Sequence, residues 1–192
     1  MARLAVFASG KGSNFVAIAK AIKGTGHSLQ FLLCDVAGAP VMERAVEMDV
    51  PVFPVSYAGE KKETVEKKIV RHLERRQVDI VALAGFMKLL TPWFLEAFKG
   101  PVINIHPSLL PKHPGIYGIE ESYASSDSEL GITIMRVDAG VDTGPIILQK
   151  SFPREPSESR EGAEARIHEL EHEWYPRVLL LMLDRVDAGD AP

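Results

Sequence analysis

The chain has 192 residues, of which 46% are hydrophobic and 25% charged, enough for one globular domain with its own core and too few for two comfortable ones. Lys plus Arg total 22 against 26 Asp plus Glu, a net charge of −4, and no basic run builds the cationic face that nucleic acid or an anionic membrane requires. The single cysteine, Cys34, excludes an intramolecular disulfide and a Cys-rich metal cage, and it fits a reducing cytoplasm.

The opening MARLAVFASGKG is too short in apolar length for a secretory signal or a membrane span, so it is read as structure. Arg3–Ala8 predicts a strand and SGKGSN a tight turn. Phe15, Val16, Ile18, Ala19 and Ile22 then follow the spacing of a buried helix face. Asn14 is placed to cap that helix and Gly24 to end it. Further on, Leu29–Cys34 and Val50–Val55 read as strands around a helix at Val41–Met48. Glu60–Gln77 reads as a charged helix with Val65, Ile69 and Leu73 inward, and Val78–Ala84 as a strand buried on both faces. Then come a helix at Pro92–Phe98, a strand at Val102–His106, a Pro-rich loop, and a helix at Ile119–Ser125. Strands at Ile132–Val137 and Ile146–Phe152 precede a final helix over Ser159–Val186. Strands alternating with helices in this way predict an α/β fold, a mostly parallel doubly wound sheet with ligands at the carboxyl ends of its strands. No linker divides the chain, which is read as one domain over residues 1–192 with the DAGDAP of 187–192 as a frayed tail.

Four segments bear on chemistry. SGKGSN offers Gly10 and Gly12 for a bend and backbone N–H groups at a helix N-terminus, where an anion such as phosphate is favoured. It matches neither a Walker loop nor a dinucleotide fingerprint, and an ordinary strand-to-helix turn explains it equally well. In INIHPSLLPKHPG, residues 103–115, Asn104 and His106 share one face of a strand, a fixed amide donor beside a titrating imidazole. A core histidine remains the alternative. VDAGVDTGP, residues 137–145, carries Asp138 and Asp142, which lack the spacing of a calcium loop. Asp142 could instead pair with a histidine and stabilise imidazolium, and plain turn chemistry is the other reading. His168, Glu169 and His172 match HExxH, yet no suitable third zinc ligand follows, so a zinc hydrolase is the remote alternative and no metal is expected. On that helix His168, Glu171, His172 and Tyr175 share one flank, and Ile167, Leu170 and Trp174 line the adjoining one, which is expected to be buried.

FASGKGSN, ALAGFMKLLTP at 82–92, INIHPSLLPKHPG, GVDTGPIILQ at 140–149 and HELEHEWYP at 168–176, in that order, resemble the glycinamide ribonucleotide formyltransferase family of purine biosynthesis. The resemblance spans most of the chain. It implies a Rossmann-like sheet with one antiparallel strand near the C-terminal part, and formyl transfer from 10-formyltetrahydrofolate, as co-substrate, to the amine of glycinamide ribonucleotide. By motif it implies Asn104, His106 and Asp142 as the catalytic trio, and Gly12, Ser13 and Asn14 as the turn for the nucleotide phosphate. His168, Glu169, Leu170 and Glu171 would contact the ribonucleotide, Glu171 most directly. Lys62, Met87, Lys88, Leu89, Leu90 and Asn104, with the loop Asp138, Ala139, Gly140, Val141 and Asp142, would hold the folate. The implied partners are small molecules, with neither nucleic acid nor membrane, and a homodimer is left open.

The chain departs from the family pattern at Met135, Tyr117 and Ile119, where relatives carry histidines, and GIEESYASSDSELG replaces a more basic helix. These positions leave room for a sibling formyltransferase acting on another amine. A formyltetrahydrofolate hydrolase and a non-catalytic nucleotide or folate sensor are the further alternatives.

Overall fold

Arg3–Ala8 forms β1, and its alternation divides the interior: Leu4, Val6 and Ala8 enter one core, while Ala5 and Phe7 enter another on the opposite face. A computed structural model of the protein describes residues 1–155 and 157–190. After β1 the chain runs through α1 (Ser13–Ile22), β2 (Ser28–Cys34), α2 (Pro40–Glu47), β3 (Val52–Pro54), α3 (Lys62–Arg75) and β4 (Ile80–Leu83). It continues through α4 (Pro92–Ala97), β5 (Val102–His106), α5 (Gly118–Ala124), β6 (Glu129–Arg136), β7 (Ile146–Pro153) and α6 (Arg160–Asp187). The strands form one sheet in the order β3-β2-β1-β4-β5-β6-β7. All neighbours are parallel except at β6, which runs against both β5 and β7. The doubly wound sheet with one reversed strand is therefore as expected.

Helices cover both faces, which is why the central strands read as unbroken apolar runs. Residues of α1, α2 and α6 pack on the first core, and those of α3 and α4 on the second. No helix among the described residues is long and apolar enough to cross a membrane.

Several expectations are corrected. The cap of α1 is Gly12, in the left-handed region at φ 78°, and not Asn14, which lies inside the first turn and sends its side chain across to α6. β6 begins at Glu129, three residues early, because Glu129, Leu130 and Gly131 pair with Pro153, Phe152 and Ser151 of β7, a long-range pairing without local signal. β3 and β4 are shorter than their apolar runs. Of the expected tail, residues 191 and 192 lie outside the described residues, and α6 itself persists to Asp187.

The buried stripe of α6 also differs. Ile167 is buried as expected, but its companions are Glu171, Tyr175, Val178 and Leu179, whereas Leu170 and Trp174 are only partly covered. Trp174 carries Lys150 and Arg177 over its ring, at 3.9 and 5.0 Å from the centroid, which suits a half-exposed amphipathic side chain. Tyr175 is fully buried, with its one hydroxyl proton shared between Leu83 O at 3.0 Å and Ile103 O at 2.8 Å. The helix is thereby tied to the adjacent strands β4 and β5. Tyr175→Phe removes that donor and is expected to cost about 1–3 kcal/mol in urea denaturation; an unchanged midpoint would show that the carbonyls are satisfied without it.

Candidate active site

From β1 the chain moves outward to β2 and β3 and then returns to β4 on the other side of β1. The strand order reverses there, and in such sheets the connections leave β1 and β4 in opposite directions, opening a crevice at their carboxyl ends. A cavity of about 650 Å³ occupies that position, lined by the turns after β1, β4 and β5, the loop between β6 and β7, and one face of α6.

The turn after β1 is built for close approach. Gly12 takes a left-handed backbone, and a Cβ there would lie 2.4 Å from Val41 Cγ2, so a side chain is excluded by space as well as by conformation. Lys11, Gly12, Ser13 and Asn14 all line the cavity at the start of α1, where free N–H groups and the helix dipole favour an anion.

Opposite this turn, β5 presents Asn104 and His106 on one side of the strand while Ile103 and Ile105 enter the first core. His106 is 4% exposed, with a hydrogen bond at one ring nitrogen and a carboxylate facing the other. Nε2 lies 2.8 Å from His113 O, and because a carbonyl only accepts, Nε2 is a donor. Nδ1 lies 3.4 Å from Asp142 Oδ2. That oxygen also accepts from Gly115 N at 2.8 Å, and Asp142 itself adopts φ 54°. With acceptors facing both nitrogens, the arrangement suits an imidazolium. The Asn104 side chain lines the cavity with no hydrogen-bond partner among the described residues, so its amide is free for a ligand.

The third cluster joins α1 to α6. Asn14 Nδ2 donates to Glu171 Oε2 at 3.1 Å, and His168 Nδ1 sits 2.7 Å from the same oxygen. Asn14 Oδ1 is buried without a partner. The hydrogen bond to Glu171 raises the His168 pKa above its ordinary value against the opposing effect of burial, whereas burial lowers that of His172. Glu169 is exposed, so the HExxH residues do not converge, and the described residues hold no group of three or more His, Cys, Asp or Glu side chains placed to bind a metal.

A polar chain behind the cavity fixes its apolar wall. Ser9 Oγ donates to Asp35 Oδ1 at 2.6 Å and accepts from Met87 N at 2.9 Å. Met87 and Leu89 line the cavity and stand 61% and 60% exposed. Across from them, Asp138 Oδ1 accepts from Gly140 N and Thr143 Oγ1, shaping the 138–142 loop as an Asx turn.

Of the residues singled out from the sequence, Gly12, Ser13, Asn14, Met87, Lys88, Leu89, Leu90, Asn104, His106, Asp138, Ala139, Gly140, Val141, Asp142, His168 and Glu171 line this one cavity. Lys62, Glu169 and Leu170 do not. Lys62 opens α3, over the second core, and Glu169 lies on the outer side of α6. Met135, paired with Asn104, forms a buried apolar wall of the cavity. Lys11 and Arg136 are cationic lining residues that sequence reasoning missed. Lys11 could have been found from its place inside the turn, whereas nothing local marks Arg136.

The family model for formyl transferases matches residues 2–179. The chain belongs to the formyl transferase family. It is 43% identical to the phosphoribosylglycinamide formyltransferase of Bacillus subtilis (strain 168), over 99% of both chains. It is 38% identical to the trifunctional purine biosynthetic protein adenosine-3 of Drosophila pseudoobscura pseudoobscura over 94% of this chain, which spans only 14% of that protein. Among solved structures, glycinamide ribonucleotide transformylase 1 from Geobacillus kaustophilus superposes with a TM-score of 0.90 at 47% identity, covering 95% of this chain and 99% of that one. Phosphoribosylglycinamide formyltransferase from Streptococcus pneumoniae TIGR4 gives 0.88 at 40%, with 95% and 99% covered.

In this formyl transferase the His168–Glu171 pair has a pH signature. Because the folded-state pKa of His168 is raised, the pair contributes stability that is fully present below the unfolded value of 6.5 and is lost as pH rises through the folded value. Glu171→Gln is expected to lower the His168 titration midpoint read by NMR, and its stability deficit should shrink as pH rises. An unmoved midpoint would contradict the pairing.

Proposed function

We propose that this enzyme transfers the formyl group of 10-formyltetrahydrofolate to the amine of glycinamide ribonucleotide, yielding formylglycinamide ribonucleotide and tetrahydrofolate for purine biosynthesis. One observation carries the reading: a single cavity has an anion-ready helix start on one side, an apolar wall on another, and the Asn104–His106–Asp142 cluster between them. The names of the relatives above support the same reaction. The acceptor phosphate rests on the turn at Gly12, Ser13 and Asn14, Glu171 and His168 meet the ribose side, and the pterin lies against Met87, Leu89, Leu90 and the 138–142 loop. The cavity lining gives this reading no use for Lys62, Glu169 or Leu170. Small molecules are the partners it calls for, and the cytoplasm is the compartment it implies.

The acceptor amine attacks the formyl carbon directly. A C–N bond forms, the carbonyl π pair moves to oxygen, and a tetrahedral intermediate carries the negative charge. The Asn104 amide donates to that oxygen. His106 donates through Nδ1, since Nε2 is committed to His113 O. Donors fixed before the charge develops need no reorganisation as it appears, and losing one typically costs about 10²–10³ in rate. Asp142 orients the imidazole, and it orders a water that carries the amine proton to the departing folate nitrogen. As that C–N bond breaks, the carbonyl re-forms. Binding the phosphate at the Gly12 turn, away from the reacting atoms, holds the amine in line.

The deciding experiment follows tetrahydrofolate formation by absorbance with glycinamide ribonucleotide present and absent. Strict dependence on this acceptor is expected; formate release without it would indicate hydrolysis, and turnover only with another amine would indicate a sibling transferase. Asp142→Asn is expected to remain folded by circular dichroism and to lose about 10²–10³ in kcat, and near-normal turnover would remove Asp142 from the mechanism. Gly12→Val should raise the KM of the ribonucleotide far more than that of the folate. Equal changes would argue against phosphate binding at the turn.

A further inference from the structure

The nitrogen of His106 that faces away from Asp142 rests on a backbone carbonyl in an unfavourable conformation, and that carbonyl is held by residues outside the cavity. His113, whose oxygen accepts from His106 Nε2 at 2.8 Å, has φ 54°, a region that bulky residues other than glycine adopt only when their surroundings impose it. Here the imposition is visible. His113 Nε2 lies 2.9 Å from Asp127 Oδ2, and the neighbouring Lys112 Nζ donates to Asp127 Oδ1 at 2.6 Å. From the other side the single Ser108 hydroxyl proton is shared between Lys112 O at 2.7 Å and His113 O at 3.1 Å.

Asp127 is anchored in turn. Its N–H donates to Ser125 Oγ at 3.1 Å, and Ser125 O accepts from the Arg154 guanidinium beyond β7. One carboxylate thus takes two cationic or polar side chains from consecutive residues and sets the peptide on which His106 leans. The hydrogen bonds from Lys112 and His113 hold the Asp127 carboxyl at about 2, well below the ordinary range, so the carboxylate is ionised throughout the neutral range. A Cβ on Gly118, at the start of α5, would stand 2.9 Å from His106 Nε2, so only a glycine there leaves the ring its place. Neither Asp127, Lys112 nor His113 lines the cavity, so none of the three is a binding group for either substrate.

We propose that Asp127, acting through the imidazole of His113, is a positioning residue for formyl transfer: it holds the His113 carbonyl where it orients His106 with Nδ1 toward the reacting carbonyl. The inference rests on the reading of His106 as a catalytic donor given above.

The test compares Asp127→Ala, Asp127→Asn and His106→Asn, with kcat and both KM values measured on the full chain. Misplacing a catalytic group by about 1 Å can cost ~10²-fold, so Asp127→Ala is expected to lower kcat about 10- to 100-fold while both KM values stay within about twofold. Asp127→Asn, which keeps an acceptor oxygen for His113, should restore most of that loss. Combining Asp127→Ala with His106→Asn should be no worse than His106→Asn alone, because the two act through one ring. If Asp127→Ala does not fold, His113→Phe replaces it, since that change removes the imidazole and leaves the Lys112–Asp127 ion pair intact; the same kcat loss is expected. Unchanged kcat in either variant alongside a large loss in His106→Asn overturns the proposal and spares the reaction. Additive losses in the double variant, or an effect confined to KM, also overturn it. Full activity in His106→Asn instead removes the reading on which the proposal rests, and the proposal with it.

Discussion

An imidazole hydrogen-bonded at one nitrogen and faced by a carboxylate at the other sets the requirements for the rest of the site. His106 Nε2 leans on a peptide carbonyl of the 107–117 loop, and Nδ1 faces a carboxylate from the loop between β6 and β7. Two loops far apart in sequence therefore have to meet at His106: antiparallel β6 leaves the sheet beside Ile103, near the start of β5, and the 137–145 loop brings Asp142 back to the ring. The Gly115 N–H bond to Asp142 then closes one loop on the other. With Nε2 committed to His113 O, only the Nδ1 edge, which Asp142 faces at 3.4 Å, is left for a ligand, alongside the unpaired Asn104 amide. A site that must meet charge as it forms benefits from donors that cannot turn away.

The second constraint is the reversal of strand order between β1 and β4. It places a helix N-terminus and an apolar segment on opposite sides of one crevice without any special folding device, and the two cores on either face of the sheet keep those strand ends rigid. α6 completes the enclosure. Tyr175 bonds it to β4 and β5, and four residues earlier Glu171 reaches Asn14 on α1, so the same buried stripe that packs the helix also delivers a carboxylate to the cavity. Stability and recognition are joined along that stripe.

Much of this was legible in the sequence because the signals are local. Short apolar runs mark β1, β4 and β5, the 3.6-residue spacing marks α1 and α3, and alternation along β5 puts Asn104 and His106 on one face. The failures have a common physical origin in partners distant along the chain. Glu171 and Tyr175 carry polar tips, so a pattern reading turns them outward, yet their partners lie 157, 92 and 72 residues away. β6 gained three residues from pairing with β7 that no propensity encodes. Asn14 had the chemistry of a cap, but Gly12 could adopt the left-handed backbone that the entry to α1 requires, and Asn14 was drawn to α6 instead. Lys62 was inferred from likeness and falls on a helix over the other core. The groups that orient His106, a carbonyl at His113 and the bare Cα of Gly118, have no side-chain signature at all.

The arrangement of the His106 ring is directly measurable. Nitrogen-15 NMR of selectively labelled histidine, followed through a pH titration of the free enzyme, separates the two ring nitrogens. Nε2 is expected to remain protonated throughout, with Nδ1 the nitrogen that gains or loses its proton. A neutral form carrying the proton on Nδ1, with Nε2 titrating, would contradict the account.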